Sequence, residues 1–228
     1  MRLVAVNIDG VLLSDTFSPV IRRIVLARGG RYTARLEHAL LSQPQLVAAR
    51  TAAAALGGTP EELLKAYFEE REHYLRDHPV RVLDGAAALL ATLRSLGVRT
   101  VCYGGLDRSH FDRHLGEFAG YFDEPGYVCT NDFRPGIREI TTGLFGLRCD
   151  QALFIDDVAR VAQAAGELGA AFIGHPSDYE HGFQPQLMRQ AGARHVVRTL
   201  EAIDEALLRT VDAEAAAAYS RREDLSQA

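Results

Sequence analysis

The 228 residues predict a three-layer α/β sandwich, a parallel sheet between two layers of helix, with an α-helical lobe inserted after the first strand. Three observations carry that expectation. Short apolar runs alternate with amphipathic helices along most of the chain. The stretch between the first strand and the helix near residue 85 is too long for one crossover and is itself helix-like throughout. The apolar runs also end in polar residues or glycine, as strands do when they deliver side chains to a site at their carboxyl ends.

The strand-like runs are residues 3–8, 98–103 (VRTVCY), 126–130 (GYVCT), 152–155 (ALFI), 170–174 (AAFIG) and 194–198 (RHVVR). Residues 16–81 form the helical insertion. SPVIRRIVLA starts with Ser18 and Pro19 in cap positions, and TPEELLKAYFEEREHYL opens with Thr59, Pro60 and Glu62 as a capping box. Its apolar residues, among them Ile21, Ile24, Val25, Leu40, Leu63, Leu64 and Phe68, are spaced for a bundle packing on itself. DGAAALLATLRSLG follows, with Asp84 as the expected N-cap and Gly97 as the C-terminal stop, and VARVAQAAGELG closes on Gly169. The division expected is a core of residues 1–15 and 82–210, a cap of 16–81, and a tail of 211–228. That Ala-rich tail has helix propensity but almost no apolar face, which predicts a frayed helix or disorder.

Composition excludes several classes. At 47% hydrophobic and 24% charged the chain is ordinary for a globular domain, and no stretch is long and apolar enough to span a bilayer. A net charge of −5 supplies no basic field for a nucleic-acid partner. Asn7 and Asp9 interrupt the first apolar run, so it does not read as a secretory signal, and a cytoplasmic location is expected. Cys102, Cys129 and Cys149 are odd in number and widely spaced, with neither a disulfide framework nor a zinc site implied. His110 and His114 lie in an Arg- and Asp-rich segment and read as a solvated helix face.

The strand ends must be read together. The first contributes Asn7, Asp9 and Gly10, the second Gly104 and Gly105, the region after the third Arg134 and Pro135, and the fourth Asp156 and Asp157. Adjacent carboxylates at the mouth of a buried strand repel unless a cation lies between them, and the natural cation is Mg²⁺. An N-cap role for Asp157 on the next helix accounts for one of the two acids.

With NIDGVLLSD at residues 7–15, FIDDVARVAQAAGELG at residues 154–169, and a helical insertion between them, the chain resembles the haloacid dehalogenase superfamily over residues 1–210. The likeness is to the phosphatase and phosphomutase subfamily with a helical cap. It implies a Rossmann-like parallel sheet, a phosphatase-type hydrolase and Mg²⁺. It also implies Asp9 as general acid and base, and Asp156 and Asp157, with positions 7 and 9, around the metal. Three positions depart from that pattern: Asn7 stands where the resemblance implies the nucleophilic carboxylate, Gly104 or Gly105 where it implies a hydroxyl, and Arg134, in FRPGI, where it implies a phosphate-binding lysine.

The departures differ in weight. Arg134 keeps a cation that can hold phosphate in bidentate fashion, and the Gly104–Gly105 turn keeps backbone N–H groups. A neutral carboxamide at position 7 has no anionic oxygen with which to form an acyl-phosphate. Asp15 is the one spare carboxylate nearby, and it lies past the turn, beyond attack distance. The expected function is therefore a catalytically silent protein that binds a phosphorylated ligand or a protein partner, with Mg²⁺ weak or absent. The alternative is an Mg²⁺-dependent phosphohydrolase in which Asp9 activates water directly. A dehalogenase fares worse, since that chemistry also needs the missing carboxylate.

Overall fold

The computed structural model describes the backbone of residues 1–227 and the side chains of residues 1–221. Six parallel strands form one sheet: β1 (Leu3–Asn7), β2 (Arg99–Gly104), β3 (Tyr127–Cys129), β4 (Ala152–Asp156), β5 (Ala171–Gly174) and β6 (His195–Val196). Their order is β3-β2-β1-β4-β5-β6. β1 is central, and the direction of progression reverses between it and β4, so the crevice outside their carboxyl ends is the topological switch point where such sheets bind ligands.

Alternation along β1 builds both faces. Val4, Val6 and Ile8 pack with Leu89, Leu90 and Leu93 of α5 (Ala86–Ser95) and with Phe111 and Leu115 of α6 (Arg108–Leu115). Leu3 and Ala5 face the other way, in a cluster with Tyr103, Phe154 and Val161, the last on α7 (Ala159–Leu168). Between β1 and α5 lie α1 (Ser18–Ala27), α2 (Ala34–Leu40), α3 (Gln45–Leu56) and α4 (Pro60–Asp77). The capping box of α4 forms as the sequence predicts, with the Thr59 hydroxyl accepting from the Glu62 N–H and the Glu62 carboxylate accepting from the Thr59 N–H. The remaining helices are α8 (Gln184–Gln190) and α9 (Glu205–Gln227). Among the described residues no helix is long and apolar enough to cross a membrane.

Three local expectations change, and the tail is placed. Asp84 does not cap α5; Gly85 holds the N-cap position at φ 83°, a left-handed conformation that glycine adopts without a Cβ penalty. Ser18 and Pro19 begin α1, but the capping acceptor is Asp15, whose Oδ1 takes the N–H groups of Phe17 and Ser18 at 2.8 and 3.0 Å. Asp157 does not cap α7, because Asp156 Oδ1 accepts from the Val158 N–H and the Gln184 side chain accepts from the Ala159 N–H, both at 2.7 Å. The expected tail at 211–228 is the continuation of α9, anchored by buried Leu208 and Val211 and by an ion pair between the Met1 ammonium and Asp212. Ala228, and the side chains after residue 221, lie outside the described residues.

Candidate functional site

β1 and β4 run side by side and bring Asn7, Asp156 and Asp157 to one end of the sheet, all nearly inaccessible to solvent. Gly10 follows the strand at φ 84°, and a Cβ there would come within 2.2 Å of Asp157 Oδ2, so only glycine lets this loop fold back over the acid.

The Asn7 amide donates from Nδ2 to the backbone carbonyl of Asp9 at 2.8 Å and to Asp157 Oδ1 at 2.9 Å. A carbonyl only accepts, so this contact fixes which way the amide faces. One NH₂ group thus bridges these two oxygens. The other acids are also met by protein donors. Asp156 Oδ2 accepts from the Tyr103 hydroxyl at 2.5 Å while Oδ1 takes the Val158 N–H. Asp9 Oδ1 lies 2.9 Å from His110 Nε2, and both side chains are largely buried.

These contacts bear on electrostatics. Burial pushes the Asp156 carboxyl up to about 6, against the pull of the Tyr103 hydroxyl and Arg134. Burial, reinforced by the Asp156 charge, holds Asp157 well above the usual carboxylate range. Tyr103 is itself held far above its ordinary value, by burial first and then by Asp156, so it is a neutral donor. Among the described residues no group of three or more His, Cys, Asp or Glu side chains is placed to hold a metal ion. The donor set explains this: the one position shared by Asn7, Asp9 and Asp157 is filled by N–H, and Asp156 is engaged at both oxygens. The residues present do not fit Mg²⁺.

The second part of the site lies across from the acids. Gly104 is fixed by packing, because a Cβ there would stand 2.3 Å from the Ile8 side chain. Gly105 has a different neighbour: a Cβ would come within 2.4 Å of Arg134 Nη1, so the guanidinium occupies the space that a side chain at position 105 would claim. Arg134 Nε donates to Ser42 Oγ at 3.3 Å, and among the described residues Arg134 makes no ion pair. The lobe reaches the core through this region. The Gln45 N–H donates to Asn131 Oδ1 at 3.0 Å, and its side-chain amide to the Gly105 carbonyl at 3.3 Å. Farther along the seam, buried Glu37 accepts from the Phe183 N–H and from Gln184 Nε2.

The structure therefore brings Asn7, Asp156 and Asp157 together, with Asp9 linked to them through its carbonyl, and sets Gly105 against Arg134. Asp15 is spent on the start of α1. Two residues were missed. Tyr103 looks like an ordinary aromatic of a buried strand, though its position opposite Asn7 in the β1–β2 register is a signal. His110 does not belong to a solvated face: α6 starts just after the Gly104–Gly105 turn, so its first turn looks back over the strand ends, and Asp107 capping the helix marks that start.

No family model and no curated protein matches the chain. Solved structures do. A conserved haloacid dehalogenase-like protein of unknown function from Agrobacterium tumefaciens superposes with a TM-score of 0.64 at 17% identity, over 92% of this chain and 98% of that one. A haloacid dehalogenase family hydrolase from Deinococcus radiodurans, with bound phosphate and sodium, gives 0.59 at 19%, over 95% and 96%. An aspartate-to-asparagine variant of CbbY from Rhodobacter sphaeroides, in complex with xylulose-1,5-bisphosphate, gives 0.63 at 14%, over 90% and 98%. Topology, the acids at the switch point and these superpositions agree: the chain has the haloacid dehalogenase-like fold, with its helical lobe inserted after the first strand.

Proposed function

We propose that this protein is catalytically silent and binds a small phosphorylated ligand between the strand ends and residues 16–81, which act as a cap over a core formed by 1–15 and 82–210. The observation that carries the reading is the Asn7 amide bridging the Asp9 carbonyl and Asp157. A group that donates two hydrogen bonds into the site has no lone pair of useful basicity to send to phosphorus, and it takes the place of the cation that would neutralise the phosphate. Binding then rests on this chain's own cation. Arg134 presents a planar fork suited to phosphate oxygens, and Ser42 orients it from the lobe side.

The Gly105 and Arg134 departures support binding over decay. They fit each other, since the guanidinium fills the room that the glycine leaves. A site losing its purpose has no reason to refit its parts. The CbbY variant with xylulose-1,5-bisphosphate is a protein of this fold that holds a phosphorylated ligand with asparagine in place of an aspartate. A small ligand is preferred to a protein partner because Arg134 lines a concave, largely apolar pocket open to solvent on one side.

Incubation with p-nitrophenyl phosphate and with acetyl phosphate in the presence of Mg²⁺ tests the silent reading. The expected outcome is negligible turnover and no phosphoenzyme. Robust turnover that disappears in Asp9→Asn would overturn it in favour of water attack with Asp9 as base.

A further inference from the structure

The cavity beside Arg134 is not built for a sugar. It measures about 130 Å³ and is lined in the lobe by apolar Ile21, Val25, Leu40, Leu56, Leu63 and Leu64, with polar Ser42, Gln43 and Gln45 beside them, and on the core side by Gly105, Asn131 and Arg134. That is close to the roughly 150 Å³ that admits a benzene-sized apolar guest. A hexose in such a space would leave the hydroxyls that face the aliphatic wall without partners, at a cost for each. An aliphatic chain would lose only water.

One feature says that the occupant carries an anionic end and is not a plain hydrocarbon. Arg134 brings a positive charge to the cavity with no carboxylate paired to it among the described residues. A ligand with an anionic end and an apolar body answers both the charge and the wall: the anion meets the guanidinium, and the body displaces water from the leucine and isoleucine side chains.

We infer that the ligand of this site is a small alkyl or aryl phosphate, its phosphate at Arg134 beside Gly105 and a body of about six carbons in the lobe cavity. The inference rests on the phosphorylated-ligand reading and names its chemical class. Size follows from the cavity, and polarity from its lining.

Isothermal titration of the full chain with inorganic phosphate and with ethyl, butyl, hexyl and decyl phosphate tests it, beside a hexose monophosphate. Each methylene buried in an apolar site is worth about fourfold in affinity. Affinity should climb at about that rate to hexyl phosphate and then stop as the cavity fills, with the hexose monophosphate no tighter than ethyl phosphate. Ala52→Leu, which fills the wall, should bring hexyl phosphate back to the affinity of ethyl phosphate and leave inorganic phosphate unchanged. A flat series in the unaltered chain, or preference for the hexose monophosphate, would overturn the inference while leaving silent phosphate binding intact. Hydrolysis of the esters with the chain-length trend preserved would do the reverse. Hexanoate serves as a further arm: binding as tight as hexyl phosphate would show that the head group is a carboxylate and would overturn the phosphate assignment.

Discussion

The strand-end crevice and the lobe cavity meet at Arg134, yet they treat polar groups in opposite ways. In the crevice each acid has a protein donor: Asn7 for Asp157, Tyr103 and the Val158 N–H for Asp156, and His110 for Asp9. On the cavity wall the Tyr67 hydroxyl is buried with no partner among the described residues. Buried polar groups are almost always paired, so the two regions satisfy theirs differently. The crevice meets its acids with its own donors. The cavity leaves a hydroxyl unmet.

The largest test of that contrast is Asn7→Asp. The change removes the bridging N–H groups and sets a third carboxylate against the Asp9 carbonyl and Asp157, with Asp156 close by. Uncompensated charge buried this deeply costs about 3 kcal/mol. Chemical denaturation in a chelator should show a loss of that order. Mg²⁺ should recover part of it in the variant and do nothing for the unaltered chain. Phosphatase activity should stay near zero, because the Gly105–Arg134 arrangement remains. Equal stability of the two proteins in chelator would mean that the amide is not standing in for a cation, and strong activity would mean that Asn7 alone keeps the site from turning over.

The same contrast explains what the sequence alone reveals. The sheet was legible because a parallel strand buried on both faces is a short apolar run, and six such runs stand between helices. The acids were legible because two adjacent carboxylates after ALFI have no structural excuse. Boundaries moved by a residue or so; β2, for example, ends on Gly104 where 98–103 was expected. Partnerships were not legible. Tyr103 belongs to the site through a register with Asn7 that only pairing reveals, and its aromatic ring is what a buried strand would carry anyway. His110 sits among Arg and Asp residues, so composition pointed outward while the start of α6 pointed it inward. Gly105 looked like a lost hydroxyl until Arg134 was found in its space. The residues after 210 show little apolar face because alanines dominate them, although Val211 packs into the core beside Leu208.

Two tyrosines sharpen the comparison with the same chemical change. Tyr103→Phe removes a buried hydroxyl bonded to a carboxylate, a contact worth about 2 kcal/mol. Tyr67→Phe removes a buried hydroxyl with no partner and should leave stability unchanged or slightly raised. Urea denaturation of both variants reads the difference directly. Similar losses in the two would mean that Tyr67 has a partner and that the two regions are alike.

The smallest effect concerns the joint that holds the lobe over the crevice. Glu37 is wholly buried on α2, takes the Phe183 N–H and Gln184 Nε2, and Gln184 in turn receives the Ala159 N–H at the start of α7. Burial raises its pKa above the usual 4.5, and the nearby Tyr32 hydroxyl and the hydrogen bonds from Phe183 and Gln184 pull the other way without cancelling it, while Asp15 adds to the rise. A raised pKa means that the folded protein favours the protonated acid. The stability this supplies is therefore complete below about 4.5 and is lost as pH rises through the folded-state value. Glu37→Gln cannot ionise, and it keeps His38, whose pKa burial lowers, so the difference between the two proteins isolates Glu37. Melting temperatures taken across that interval should shift steadily in favour of Glu37→Gln as pH rises. A flat difference, or one moving toward the unaltered chain, would mean that Phe183 and Gln184 hold the carboxylate ionised. The lobe would then be fastened by an ionised carboxylate, unlike the crevice, whose Asp156 and Asp157 burial pushes toward the neutral form.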